Sequence, residues 1–517
     1  MSRYTLILGV IVLYAVGFRL LALDRPFQYD AEGSGCLYGI LARNYLRFDW
    51  TETHGMPVLT VGHIPDAPIV FYPDHPPLIP LLIVPVYALF GVGEWQTRLP
   101  TSIATVTAVF VLYLLLARVA TRRIALIAAS FFAAMPMTLY FGGFPEVVGM
   151  PLILFILLSV MGYLHFHEQP GLRTFLPFVG AFTLAALCDW PAFIIVPVFL
   201  AHFLATRRRR DWPWIVAFCL TACAIFVALY VYIALATHLP WYWMAPLFTR
   251  RSGMGVDVPF TLSRWLAAAA ESNRVYQTLP LLLGSSIWLV VFGLQIRRPQ
   301  PGAAVARILL GWGILHVVIG RLAVYTDEWW WSPLTPGIAV AAALLIDGIL
   351  RAAEHRRFSR MANGVAALLI TLFALWTGGT TFGKLYPVKQ GGPFTPMELG
   401  QAIQAAAPGP NDLALIVGGE DDAQLWFYGD RPLRTNIWTI EDVERRVNDV
   451  SAELVFSFDV QPWKAAGAGL VFPRNYRRDF GGLWTYLQQH YPLVPTSTIL
   501  AAKFDLFDLR HPLAGTQ

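Results

Sequence analysis

A chain of 517 residues in which 56% are hydrophobic and only 14% are charged, with a mean hydropathy of +0.53, is not a string of soluble domains. The apolar residues come in blocks of about 20, the length of a helix that crosses a bilayer, which excludes a barrel of short alternating strands, disorder, collagen and a disulfide scaffold. The net charge of +5, from 38 Lys and Arg against 33 Asp and Glu, does not signal nucleic acid, because the arginines sit in short turns between apolar runs and form no basic patch.

The first apolar run, residues 4–23, has no small-residue cleavage site before Asp24-Arg25-Pro26 and reads as an uncleaved span. Further runs at 95–117, 124–141, 147–165, 174–188, 190–205, 213–236, 280–296, 303–323, 332–350 and 361–382 bring the expected number of transmembrane helices to about eleven. Residues 76–92 (PPLIPLLIVPVYALFGV) are apolar too, and the positive-inside rule decides their place. If they lie along the membrane or re-enter it, one side receives Arg118, Arg122, Arg123, Arg173, the run Arg207 to Arg210, Arg297, Arg298, Arg351, Arg356, Arg357 and Arg360. That side is cytoplasmic, as is the N-terminus, and the protein is expected in the cytoplasmic (inner) membrane. The outer side then receives the first loop, 24–94, the turn 142–146, Asp189, the long loop 237–279, the Asp327-Glu328 turn and everything after Lys384. Of the four cysteines, Cys188, Cys219 and Cys223 lie in apolar runs and Cys36 alone in a polar one, so no disulfide framework or metal cluster is legible.

Residues 385–517 contain no run long enough to span. Strands are expected at 412–417, 452–458 and 502–509, and helices near 396–406, 439–449 and 482–490. The fold class is therefore an all-α polytopic membrane domain, residues 1–384, with juxtamembrane helices, followed by a small extracytoplasmic α/β soluble domain, residues 385–517.

Ionisable groups at a membrane are costly, and here they collect on the outer side. The first loop carries Asp24, Asp30, Glu32, Asp49, Glu52, Asp66 and Asp74, with His54, His63 and His75. Asp30 and Glu32 stand just before residues 33–46, whose Leu37, Ile40, Leu41 and Tyr45 recur at helical spacing, as in an amphipathic helix on the membrane surface. Asp30 can cap that helix, act as a functional carboxylate, or do both. Two residues apart on a helix do not share a face, so one acid, Asp30, takes the leading role.

Tyr29-Asp30-Ala31-Glu32, running into Leu-Ala-Arg-Asn-Tyr-Leu-Arg-Phe-Asp-Trp at 41–50, is similar to the opening loop of family 39 glycosyltransferases. His75-Pro76-Pro77-Leu78, Gly93-Glu94-Trp95 and Arg98-Leu99-Pro100 follow in that family's order and at similar spacing. The chain thus resembles the GT-C superfamily of protein O-mannosyltransferases, the aminoarabinose transferase acting on lipid A, and their bacterial relatives. The match covers residues 1–165, weakens to 384 and is only architectural beyond. It implies a membrane enzyme that passes a sugar, with inversion, from a polyprenyl-phosphate donor to a lipid, glycan or protein acceptor on the extracytoplasmic face. Asp30 then becomes the general base and Glu32 its neighbour.

The resemblance also implies an acid just before a proline at the next outer turn. Here Met150 precedes Pro151, and Glu146 is the acid at hand, either filling that role or simply opening a helix after Pro145. A phosphate donor calls for cations on the same side, and Arg250, Arg251 and His75 are the candidates. The arginines equally suit lipid headgroups, and His75 equally suits packing beside its prolines. Asp327 and Glu328 are candidates for sugar or acceptor contacts, next to Trp329 to Trp331, which suit an interfacial belt.

No P-loop, Rossmann glycine pattern, zinc-ligand spacing or nucleophile elbow is present, so nothing in the sequence demands a cofactor or metal, although first-loop carboxylates are able to hold a divalent cation. The expected partners are the donor lipid, its acceptor and membrane lipids, with no nucleic acid. A lipid-linked sugar flippase or transporter shares the apolar content, but its paired halves and midplane charges are missing. The absent acid at Met150 keeps an inactive scaffold open.

Overall fold

The structure, a computed structural model, describes residues 3–28, 32–61, 69–146, 148–207, 209–252, 261–293, 295, 300–355, 359–385, 395–407, 409, 412–418, 423–448, 451–454, 461–464 and 466–514. The chain divides into two compact units. The helical unit comprises Met1–Asp24, Pro73–Leu82 and Arg98–Pro387, and the second unit Arg25–Tyr72, Ile83–Thr97 and Val388–Gln517.

Among the described residues, seven helices are long and apolar enough to cross a membrane: Arg3–Leu23, Glu94–Val119, Met150–Glu168, Arg209–Thr237, Leu262–Gly293, Glu328–Glu354 and Arg360–Gly383. The segments Leu172–Cys188, Trp190–Thr206 and Ala303–Ile319 are apolar but shorter, so length alone does not deliver the expected count of about eleven. The expected run 124–141 is divided because Pro136 holds Met135 extended, leaving helices Arg122–Ala134 and Pro136–Phe141. The helix Leu78–Phe90 rises only about 20 Å against a hydrocarbon thickness of about 30 Å. The long outer loop expected at 237–279 is largely helical, as Met244–Ser252 and Leu262–Asn273, the latter built on a run of four alanines that favour helix. One of the densest packing centres is aromatic: Tyr163 stacks on Phe199 at 4.3 Å and Phe178 on Phe218 at 4.3 Å, fastening helices 150–168, 172–188, 195–206 and 212–237 together.

In the second unit, strands β1 (Asp412–Val417), β2 (Leu433–Ile437), β3 (Ser451–Leu454), β4 (Gln461–Lys464), β5 (Gly467–Pro473) and β6 (Phe504–Asp508) form two sheets. The main sheet has the order β2-β1-β5-β6, parallel except for β6, while β3 and β4 pair antiparallel. Alternate residues of β1 feed two cores. Leu413, Leu415 and Val417 meet Val443, Leu483 and Leu487 of helices 440–448 and 481–490, whereas Ala414 and Ile416 meet Ala402, Ile403 and Leu425 of helices 396–406 and 423–429. At Gly469 a Cβ would come within 1.7 Å of the Ala406 carbonyl oxygen, so only glycine lets this helix end lie against β5.

The expected strands at 412–417 and 502–509 and all three expected C-terminal helices are present, and the described part of 452–458 begins in β3. The first loop contributes the helix Gly33–Arg47, whose Cys36 and Ile40 pack with Phe27 against Phe427. Its apolar side is therefore covered by protein, where a membrane-surface helix was expected. Arg47 binds Asp430 through two hydrogen bonds, 2.6 and 3.1 Å, and Arg43 adds a third contact at 3.2 Å.

Candidate functional site

In the helical unit, three side chains far apart in sequence form one chain of hydrogen bonds. Asp189 ends helix Leu172–Cys188 and caps the following turn, Oδ1 accepting from the Trp190 amide at 2.8 Å. The same oxygen pairs with His75 Nδ1 at 2.8 Å. His75 Nε2 lies 2.9 Å from Arg251 Nη2. A guanidinium has no acceptor, so Arg251 donates and Nε2 accepts; the imidazole is neutral with its proton on Nδ1, donated to Asp189. His75 and Asp189 are fully buried.

Each member is placed by local structure. Pro76 and Pro77 delay the helix after His75 until Leu78, and Trp190 Nε1 ties the segment down by donating to the Asp74 carbonyl at 2.9 Å. Trp312 Nε1 does the same for Pro191, at 3.0 Å. Arg251 stands in the last turn of Met244–Ser252, where the helix dipole favours a cation, and its guanidinium lies 5.1 Å from the centroid of the Trp330 ring. Trp330 stacks in turn on His316 with centroids 5.3 Å apart.

Burial pushes the Asp327 carboxyl above the usual carboxylate range, opposed by the Thr326 hydroxyl, which donates to it at 3.0 Å, and by the charges of Arg251 and Arg250. Arg250 is exposed and Glu328 half-buried, and neither joins the His75 chain. Glu146 is buried within the turn that precedes helix Met150–Glu168, its carbonyl accepting from Gly149 at 3.1 Å. Met150, at the position where the resemblance implies an acid, is buried at the start of that helix.

Glu32 belongs to the second unit, where it is buried and its Oε2 accepts from the Gln28 amide at 3.0 Å. Asp30 lies outside the described residues. Of the residues named from the sequence, the structure thus joins His75 and Arg251 and adds Asp189, which the sequence shows only as an outer-side acid. Among the described residues, no three His, Cys, Asp or Glu side chains gather as a metal-binding group.

A polytopic helical unit with a small C-terminal sheet marks a multi-pass membrane protein, and its fold is shared with solved membrane proteins. Residues 74–241, which include His75, Glu146 and Asp189, match the model of the family described as dolichyl-phosphate-mannose-protein mannosyltransferase. Among solved structures the chain is similar to ArnT from Cupriavidus metallidurans bound to undecaprenyl phosphate, with a TM-score of 0.64 and 15% identity over 98% of each chain. It is also similar to the archaeal oligosaccharyltransferase AglB from Archaeoglobus fulgidus, in complex with an inhibitory peptide and a dolichol-phosphate, with a TM-score of 0.60 and 12% identity over 95% of this chain and 72% of that one. No curated protein sequence matches. At such identities the likeness establishes the fold, and the GT-C resemblance read from the sequence holds.

Proposed function

We propose that the chain is an integral membrane glycosyltransferase that moves a sugar from a polyprenyl-phosphate-linked donor to a lipid, glycan or protein acceptor on the extracytoplasmic face. The observation that carries this reading is Arg251, a forked cation backed by Trp330 and held by His75, which suits a phosphate oxygen. The matched family and the two carrier-lipid complexes among structures of this fold support the donor class.

In this reading the acceptor's oxygen or nitrogen attacks the sugar C1 opposite the phosphate, the C1–O bond breaks with inversion, and the polyprenyl phosphate departs with the electron pair. Arg251 stabilises the charge that develops on the leaving phosphate. Asp30 takes the acceptor's proton, with Glu32 and Glu146 as supporting acids, while Arg250, Asp327 and Glu328 line the approach of phosphate, sugar or acceptor.

The test is transfer from a panel of labelled polyprenyl-phosphate monosaccharides, with the purified chain in lipid and membrane extract as acceptor. Wild type yields labelled product; Arg251→Ala lowers the rate by about a hundredfold or more, the loss found when one donor to a developing oxyanion is removed. Donor binding without transfer by the wild type overturns the enzyme reading in favour of a flippase or an inactive scaffold.

A further inference from the structure

A cavity lies in the helical unit and shares no residue with the chain of His75, Asp189 and Arg251. Helices Arg3–Leu23, Arg122–Ala134 and Ser359–Thr380, with the end of Thr335–His355, enclose a trough of about 650 Å³. Small side chains make the space: Ser130, Ala133, Ala134, Ala366, Ala367 and Ala374. Along the first helix the trough runs from Arg3 to Tyr14, a rise of about 16 Å, which matches the depth of one leaflet of a bilayer whose hydrocarbon is about 30 Å thick. The far end is closed where the Tyr14 hydroxyl donates to the Ala374 carbonyl at 3.0 Å.

The near end is polar, lined by Arg3, Tyr4, Arg123, Glu354 and Asn363. Arg123 is already neutralised, by Asp347 at 2.6 Å and by Glu354. Arg3 donates to the Tyr4 hydroxyl at 3.1 Å and Arg122 lies 5.9 Å from the Tyr4 ring centroid; among the described residues neither has a carboxylate partner. The first helix buries Ile11, Ala15, Phe18, Arg19 and Ala22 but none of its described residues before Ile11, so its first half, beside the cavity, is the less covered.

We propose that this trough is a binding site for an anionic membrane glycerophospholipid, with one acyl chain in the trough and the phosphate between Arg3 and Arg122. An apolar slot one leaflet deep takes the chain, and Arg3 in its lining, with Arg122 beside the lining residue Tyr4, takes the phosphodiester. A zwitterionic headgroup brings its own cation against them, so the site discriminates by headgroup charge. The bound lipid adds packing to the less covered first half of helix Arg3–Leu23.

The experiment is native mass spectrometry of the full chain in detergent, titrated with dimyristoyl phosphatidylglycerol, its phosphatidylcholine counterpart and undecaprenyl phosphate. The expected result is an apparent affinity for phosphatidylglycerol about tenfold above phosphatidylcholine, the order of effect of one charge-assisted hydrogen bond. Arg3→Gln removes most of that preference while leaving phosphatidylcholine unchanged. Ala367→Phe, at an exposed position where the fold tolerates bulk, fills the trough and lowers retention of both phospholipids by about tenfold or more. Equal affinity for the two phospholipids, or wild-type retention by Ala367→Phe with an unchanged unfolding temperature, overturns the proposal. So does displacement of phosphatidylglycerol by equimolar undecaprenyl phosphate, which makes the trough a carrier-lipid site. None of these outcomes depends on transferase activity, so the proposal and the proposed function stand or fall separately.

Discussion

The neutral imidazole of His75 matters because it converts the charge of a buried acid into the orientation of an exposed-side cation. Asp189 fixes the proton on Nδ1, which leaves Nε2 free to accept from Arg251 and so points the guanidinium. Replacing Asp189 with Leu strands the buried Nδ1–H, a penalty of about 1–3 kcal/mol that the ring escapes by moving its proton to Nε2, where it repels Arg251. The expected outcome is that Asp189→Leu weakens binding of polyprenyl phosphate by about tenfold, that Asp189→Asn, which keeps an acceptor oxygen, loses less, and that Asp189→Leu adds nothing in an Arg251→Ala background. Titration of the five proteins, wild type included, with thermal unfolding as a fold control, measures it; additive losses would show that Asp189 acts only on the fold. This part of the site was not legible in the sequence. His75 and Arg251 were named for their chemistry, but they stand 176 residues apart and His75 stands 114 from Asp189, and no spacing rule reaches across such distances.

Elements with a clear period were legible and those built for close approach were not. The helices Pro396–Ala406, Ile440–Asn448 and Gly481–His490 show helical periodicity, and β1 is a short unbroken apolar run, so all four can be read from residue type. Strand β5, at the centre of the sheet, reads GAGLVFP, and its two glycines and proline hide a segment that is buried at every position. Those glycines are there for contact, not for flexibility. Gly469→Ala therefore costs about 1–3 kcal/mol through overpacking against the Ala406 carbonyl, which a lowered unfolding temperature of the second unit reports. Gly482→Ala is the matched control: no heavy atom lies within 4 Å of the added Cβ, the site is inside helix Gly481–His490, and the change stabilises by about 0.5–1 kcal/mol. If both substitutions shift stability alike, close packing is not what holds β5 in place.

For the whole molecule the decisive quantity is parity. Residues Arg25–Tyr72 and Val388–Gln517 cluster in one unit, and for that unit to lie on one side of the membrane the chain between them must cross an even number of times. With the first helix added, the total is odd. The seven spans that satisfy length and the expected eleven both meet this condition; a twelfth crossing by Leu78–Phe90 does not, and that helix is too short for it. Sequence resolves the order of the apolar runs but not their number, because helices such as Leu172–Cys188 and Ala303–Ile319 fall at the edge of the spanning length. The side is set by the arginines. Arg3, Arg123 and Glu354 line one trough, so the turns that carry them share a face, the one for which the positive-inside rule predicts a cytoplasmic position. In a background without the native cysteines, a membrane-impermeant maleimide applied to spheroplasts should label Gly482→Cys in intact cells and Arg209→Cys only after permeabilisation. The reverse pattern would put His75, Asp189 and Arg251 on the wrong face for a polyprenyl-phosphate donor used outside the cell. Labelling of both in intact cells would mean an even number of crossings between the two positions, as the seven spans that satisfy length give, and would overturn the count of eleven.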